Sequence, residues 1–225
     1  MPNNIEKPAS PVAEVIGKIG RCVELIPVDR QFENISVGLY LKDRVYTVWT
    51  FSQKDGALER IEAIGERMVA LGEMTPVPGG RSGLTFDCGD LHTKPVRFLL
   101  AQAVGKSAEF APADEPLRIK DSKSDLWISA EGNQQQDRYV YRISGEGEAP
   151  NVAIRLRMVI AGLTKYGGME KTGEPEVAFP CGRQHDKLLR LVLPYSRNIS
   201  AVESMMEVEA ERGQMTTSTV GFSPT

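Results

Sequence analysis

The chain has 225 residues, of which 41% are hydrophobic and 25% are charged, and its formal net charge is −3. This composition is sufficient for a packed core, and the mixed, nearly balanced charge argues against general nucleic-acid binding. We find neither an apolar run of the roughly 20 residues that a membrane helix needs nor a signal peptide. Three cysteines are too few for a disulfide scaffold. We therefore predict a soluble, cytoplasmic protein without a membrane partner.

Residues 1–30 are predicted to form an N-terminal tail and one short helix. Val12, Ile16, Ile19 and Val23 are three or four residues apart, which is typical of one face of a helix. Cys22 lies beside this apolar stripe, so we expect its side chain to be in the core.

Residues 31–110 are predicted to form a folded repeat. β-branched and aromatic residues indicate strands at 36–42 and 45–51. A helix is expected between Asp55, its possible N-cap, and Gly72, because apolar residues recur there at spacings of three and four.

Residues 117–197 are predicted to form a second repeat, which residues 106–116 join to the first. Strands are expected at 126–130 and 138–143, and a helix follows Pro150. We predict an α+β fold of two internally duplicated β-β-α-β-β units related by a pseudo-twofold axis. In this fold, antiparallel sheet packs with helices.

The C-terminal segment is predicted to contain a helix at 198–212 and a flexible tail at 213–225. Ser200 and Glu203 have the spacing of a capping box at the start of this helix. The helix is a possible surface for a protein partner or for self-association. The tail has too few apolar residues to fold alone.

A motif that occurs twice supports the duplication: FDCGDLHTKPVRFLL at 86–100 and FPCGRQHDKLLRLVL at 179–193. Both copies read F-x-C-G-x-x-H-x-K-x-x-R-x-x-L. Together they contain both histidines of the protein and two of its three cysteines. Cysteine and histidine are common zinc ligands, and a thiol beside an imidazole is also a nucleophile beside a base. The motif therefore indicates a functional site.

Two structures are possible for the motif. In one, a helix begins at each motif's centre, with Thr93 and Asp186 as N-caps. In the other, the motif is a β-hairpin, which we favour because Pro194 would end a helix after two turns and the side chains alternate in period two. The hairpin would place Cys88 and His92 opposite each other on the core-facing side.

The two Cys-x-x-x-His pairs predict a metal site. If the repeats pack around the pseudo-twofold axis, Cys88, His92, Cys181 and His185 would supply two sulfurs and two nitrogens, a tetrahedral zinc set. Zinc is therefore the expected cofactor. Four protein ligands would make the ion structural, whereas three ligands and a water would allow hydrolase or lyase chemistry.

The same residues allow other hypotheses. Either cysteine could act as a nucleophile beside its histidine. The motif could instead be an inherited structural turn in a non-catalytic assembly module, or in a binding module with a small-molecule ligand between the repeats. Lys94, Arg97, Lys187 and Arg190 could form a basic patch that binds an anion.

Overall fold

The structure, a computed structural model, describes residues 17, 19–27, 36–50, 52, 55–78, 82–105, 117–121, 125–148 and 152–196. Within these ranges the chain contains two five-stranded antiparallel sheets and four helices, so the predicted α+β class is confirmed. No helix in this part of the chain has the length and apolarity required to cross a membrane. Several predictions fall outside the described residues: the N-terminal tail, the connecting segment at 106–116, the C-terminal helix and the C-terminal tail. Of the predicted N-terminal segment, only residues 17 and 19–27 are described.

The chain divides into two compact units, and the first contains the described elements before residue 114 together with residues 185–188. Its sheet has the strand order β1-β2-β3-β5-β4. Its elements are β1 (Arg21–Pro27), β2 (Ser36–Lys42), β3 (Val45–Thr50), α1 (Ala57–Gly72), β4 (Thr75–Pro76), β5 (Gly83–Thr85) and α2 (Thr93–Val104).

The second unit contains residues 115–184 and the residues from 189 onward. Its sheet has the strand order β6-β7-β8-β10-β9. Its elements are β6 (Arg118–Lys120), β7 (Leu126–Gln135), β8 (Arg138–Gly147), α3 (Val152–Gly167), β9 (Glu170–Gly173), β10 (Glu176–Ala178) and α4 (Asp186–Ser196), whose first residues belong to the first unit. The element order in the described chain is thus β-β-β-α-β-β-α, twice. Duplication and a pseudo-twofold axis remain predictions.

The structure corrects the predicted β-β-α-β-β order at the start of the first unit. Residues 17 and 19 are helical, as expected for the short N-terminal helix, but β1 begins at Arg21 and occupies the end of that predicted segment. Alternate residues of a strand point to opposite faces, so Val23 is buried whereas Cys22 is exposed. The expectation that Cys22 lies in the core is therefore wrong.

The favoured hairpin interpretation of the motif is also wrong, because the second half of each copy is a helix. Pro95 lies in the first turn of α2, where a missing N–H costs nothing, and α4 continues past Pro194 to Ser196. Buried side chains of these helices recur at intervals of one, three and four residues: Val96, Leu99, Leu100 and Ala103, and Leu188, Leu189, Val192 and Leu193.

An edge-to-face aromatic pair lies beneath the motif in each unit. The ring centroids of Tyr46 and Phe86 are 5.9 Å apart at an interplanar angle of 85°, and those of Tyr141 and Phe179 are 6.1 Å apart at 89°. All four rings are buried. Such a pair contributes about 0.5 to 1.5 kcal/mol beyond burial of its area. Each pair therefore anchors the start of a motif to a central strand.

Two helical glycines should respond oppositely to alanine. A Cβ at Gly162 of α3 would meet the backbone of Ser196 at 2.6 Å, whereas a Cβ at Gly65 of α1 would meet no atom within 4 Å. We expect G162A to lower the free energy of unfolding by about 1 to 3 kcal/mol through overpacking. G65A should raise it by about 0.5 to 1 kcal/mol because alanine favours helix. Urea unfolding measures both, and a G162A variant as stable as wild type would contradict this packing.

Candidate metal centre

A tight turn follows the last strand of each unit and carries the cysteine. The N–H of Gly89 donates to the carbonyl of Phe86 at 2.9 Å, and the N–H of Gly182 donates to that of Phe179 at the same distance. The two glycines have φ of +99° and +71°, which side chains disfavour. The Cys-Gly sequence therefore fits the turn in both copies.

The hydroxyl of Tyr46 connects the first turn to strand β3. It donates a hydrogen bond to the carbonyl oxygen of Asp90 at 3.2 Å. Burial, followed by the neighbouring Asp90 carboxylate, raises the pKa of Tyr46 well above its ordinary value. The phenol therefore stays protonated and remains a donor to this turn at neutral pH.

Each histidine immediately precedes a helix. His92 is the N-cap residue of α2, the position expected for Thr93, and its carbonyl accepts a hydrogen bond from Val96 at 3.1 Å. His185 precedes Asp186, the first residue of α4. Both imidazoles are buried, with relative exposures of 0% and 6%. The helix starts thus hold both rings away from solvent.

Two imidazole nitrogens converge on one sulfur within the first unit. The Sγ of Cys88 lies 3.0 Å from Nε2 of His92 and 3.4 Å from Nε2 of His185. With zinc bond lengths of about 2.3 Å to sulfur and about 2.0 to 2.1 Å to nitrogen, tetrahedral geometry separates the two ligand atoms by about 3.6 Å. The observed separations are slightly shorter, so small movements would admit an ion.

Cys181 is the fourth member of the cluster. The ligand atoms of Cys88, His92, Cys181 and His185 all lie within 4.8 Å of one another, so these four residues could hold a metal ion. The Sγ of Cys181 accepts a hydrogen bond from the N–H of Arg183 at 3.4 Å. Backbone N–H donors to sulfur favour the thiolate, which is the form that binds metals.

Glu73, which no sequence pattern indicated as a site residue, contacts His185. Its Oε2 lies 3.0 Å from Nδ1 of His185, and its Oε1 accepts a hydrogen bond from the N–H of Lys187 at 3.1 Å. Glu73 follows α1 in a left-handed conformation, with φ of 59°, which costs a residue with a side chain about 1 kcal/mol. Gly168 follows α3 at the corresponding place with φ of 65°.

Two of the predicted anion-binding residues have partners within the protein. The Nε of Arg97 lies 3.4 Å from a carboxylate oxygen of Glu24. The ammonium of Lys187 donates to the carbonyl of Ala70, near the end of α1, at 3.2 Å. Anion binding by these residues with Lys94 and Arg190 remains a prediction.

The structure thus brings the four predicted metal ligands together, although it replaces the predicted hairpin with a helix start. Comparisons with models of protein families, with curated proteins and with solved structures gave no match.

The two turn glycines differ in the space around them, and alanine should reveal this. A Cβ at Gly182 would have no neighbour closer than 3.7 Å, whereas a Cβ at Gly89 would collide with the guanidinium of Arg44. G182A should lower the free energy of unfolding by about 1 to 2 kcal/mol, the cost of a left-handed alanine. G89A should lower it by at least as much, because the same left-handed strain applies and the flexible side chain of Arg44 must also move aside. Denaturant unfolding without metal measures both, and a larger loss in G182A would contradict the described turn.

Proposed function

We propose that the protein binds one zinc ion through Cys88, His92, Cys181 and His185. The supporting observation is that their four ligand atoms lie within 4.8 Å of one another. Two thiolates and two imidazoles form a ligand set typical of tetrahedral zinc. Thiolate ligands also need a reducing compartment, which supports a cytoplasmic location.

The surroundings of Cys88 favour metal binding over nucleophilic catalysis. A thiol nucleophile needs one neighbouring base, whereas this sulfur is close to Nε2 of both His92 and His185. The rings are in edge contact, with centroids 4.5 Å apart, and both are buried. Two nitrogens directed at one sulfur are expected where all three atoms face a common ion.

The number of protein ligands favours a structural ion over a catalytic one. Four ligands fill a tetrahedral zinc site, whereas catalytic zinc usually has three and keeps one position for water or substrate. A structural ion contributes its binding free energy to folding. We therefore infer that zinc stabilises the start of α2 and the start of α4, where the two histidines lie.

The second candidate function is a non-catalytic small-molecule-binding or assembly module, in which the motif is structural. For this candidate the ligand site would be a groove of about 390 Å³ that is lined by residues of the first unit, rather than the predicted site between the repeats. Glu62, Glu66 and Val69 of α1 line one side, and Leu84 of β5 lies among the residues that complete the lining. This function does not require a metal, so metal analysis distinguishes the two candidates.

Purified protein should contain about one zinc ion per chain, the amount that one tetrahedral site holds. Elemental mass spectrometry on untagged protein, prepared without added metal, measures this content. The double variant C88A/C181A should lose the zinc, because it lacks both sulfur ligands. C22A is the matched control and should keep it, since Cys22 is exposed and lies outside the cluster. Wild-type protein that neither retains zinc nor takes it up would favour the second candidate function.

Cobalt should report how many thiolates bind the ion. Co²⁺ in place of zinc should give the intense visible bands of a tetrahedral site and a thiolate-to-cobalt charge-transfer band in the near ultraviolet. C181S should retain cobalt binding with roughly half the charge-transfer intensity, because one of two thiolates is lost. C22S should leave the spectrum unchanged. An octahedral spectrum for the wild type would contradict the proposed ligand set.

A further inference from the structure

We propose that Glu73 is a positioning residue that fixes the tautomer and orientation of His185, so that Nε2 of His185 is available to a metal ion. This inference rests on the proposed metal-binding function. Glu73 is not itself a proposed ligand. It directly follows α1, whereas the two histidines directly precede α2 and α4.

The chemistry of the contact determines which ring nitrogen carries the hydrogen. An ionised carboxylate only accepts hydrogen bonds, so the 3.0 Å contact of Glu73 with Nδ1 of His185 requires the hydrogen on Nδ1. In a neutral ring the lone pair is then on Nε2, which lies 3.4 Å from Sγ of Cys88. The contact therefore directs the metal-binding nitrogen toward the other ligands.

The second oxygen of Glu73 fixes the position of the ring. It accepts the N–H of Lys187, in the first turn of α4, at 3.1 Å. This N–H is one of those at the start of a helix that need a partner from outside the helix. One carboxylate thus holds both the imidazole and the backbone that carries it. The relative side-chain exposures are 30% for Glu73 and 8% for His185, so the contact is partly shielded from solvent.

The backbone at Glu73 indicates that the side chain has a role other than local stability. Its left-handed conformation favours glycine, and Gly168 is present at the corresponding place after α3. A glycine at position 73 would satisfy the backbone and leave His185 without the carboxylate. The contacts to His185 and Lys187 therefore account for a glutamate at this position.

Two substitutions separate positioning from stability. E73Q keeps the size of the side chain, but its amide nitrogen must either oppose the N–H of Lys187 or favour the His185 tautomer with hydrogen on Nε2. E73G removes the carboxylate and relieves the left-handed strain, so the variant should fold. E59Q removes a charge from an exposed residue of α1 that does not line the groove, and it is the matched control.

The first measurement is the tautomer of His185 in metal-free protein, by long-range ¹⁵N–¹H correlation of the two histidine rings. It is made about two pH units above the ordinary imidazole pKa of about 6.5. We expect hydrogen on Nδ1 in the wild type and in E59Q, and loss of this preference in E73G and E73Q. Hydrogen on Nε2 in the wild type would overturn the proposal.

The second measurement is zinc affinity, by competition with a chromogenic chelator. E73Q and E73G should bind zinc about 10- to 100-fold more weakly than wild type, the usual effect of losing such a partner, and E59Q should be unchanged. Unchanged affinity in both Glu73 variants would overturn the proposal. If the wild type binds no zinc, the proposed function fails, whereas the tautomer measurement still decides whether Glu73 positions the ring.

Discussion

The convergence of two imidazole nitrogens on the sulfur of Cys88 is the interaction on which the interpretation of this protein depends. Buried polar atoms are costly unless they have partners, and the two rings are almost completely buried. Three features bring them there: a glycine turn that carries the cysteine, a helix that begins directly after each histidine, and an aromatic pair that anchors each turn to a central strand. A cluster with two buried imidazoles and so much local support is more consistent with a ligand set than with a chance contact.

Much of the fold could be predicted from residue patterns, because hydrophobic periodicity reports burial directly. The strands on either side of Asp43 and the first long helix lie where the pattern predicts them. The secondary structure of the motif was harder to predict, because its apolar residues fit a strand as well as a short helix. Pro194 favoured the strand. The pairing of Cys88 with His92 was nevertheless correct. Residues four apart are neighbours across a hairpin loop and also in a turn that leads into a helix.

Other parts of the site could not be predicted, because they depend on contacts between distant segments. Glu73 is 112 residues from His185 in the chain, and nothing near it in the sequence resembles the motif. One signal existed: Gly-Glu-Met at 72–74 resembles Gly-Gly-Met at 167–169, so the first unit has a glutamate where the second unit has the residue that the backbone favours. The exposure of Cys22 was not predicted because a helix was expected at this position. In the observed strand, adjacent side chains point to opposite faces of the sheet, so Val23 is buried and Cys22 is exposed.

The left-handed conformation of Glu73 has a consequence for how this chain would change under selection. Selection on backbone conformation alone would favour glycine at position 73, because glycine adopts the left-handed conformation without strain. Selection for the hydrogen bonds to His185 and Lys187 would favour glutamate. The residue found at this position in diverged or laboratory-evolved descendants would therefore record which of the two requirements had acted on them.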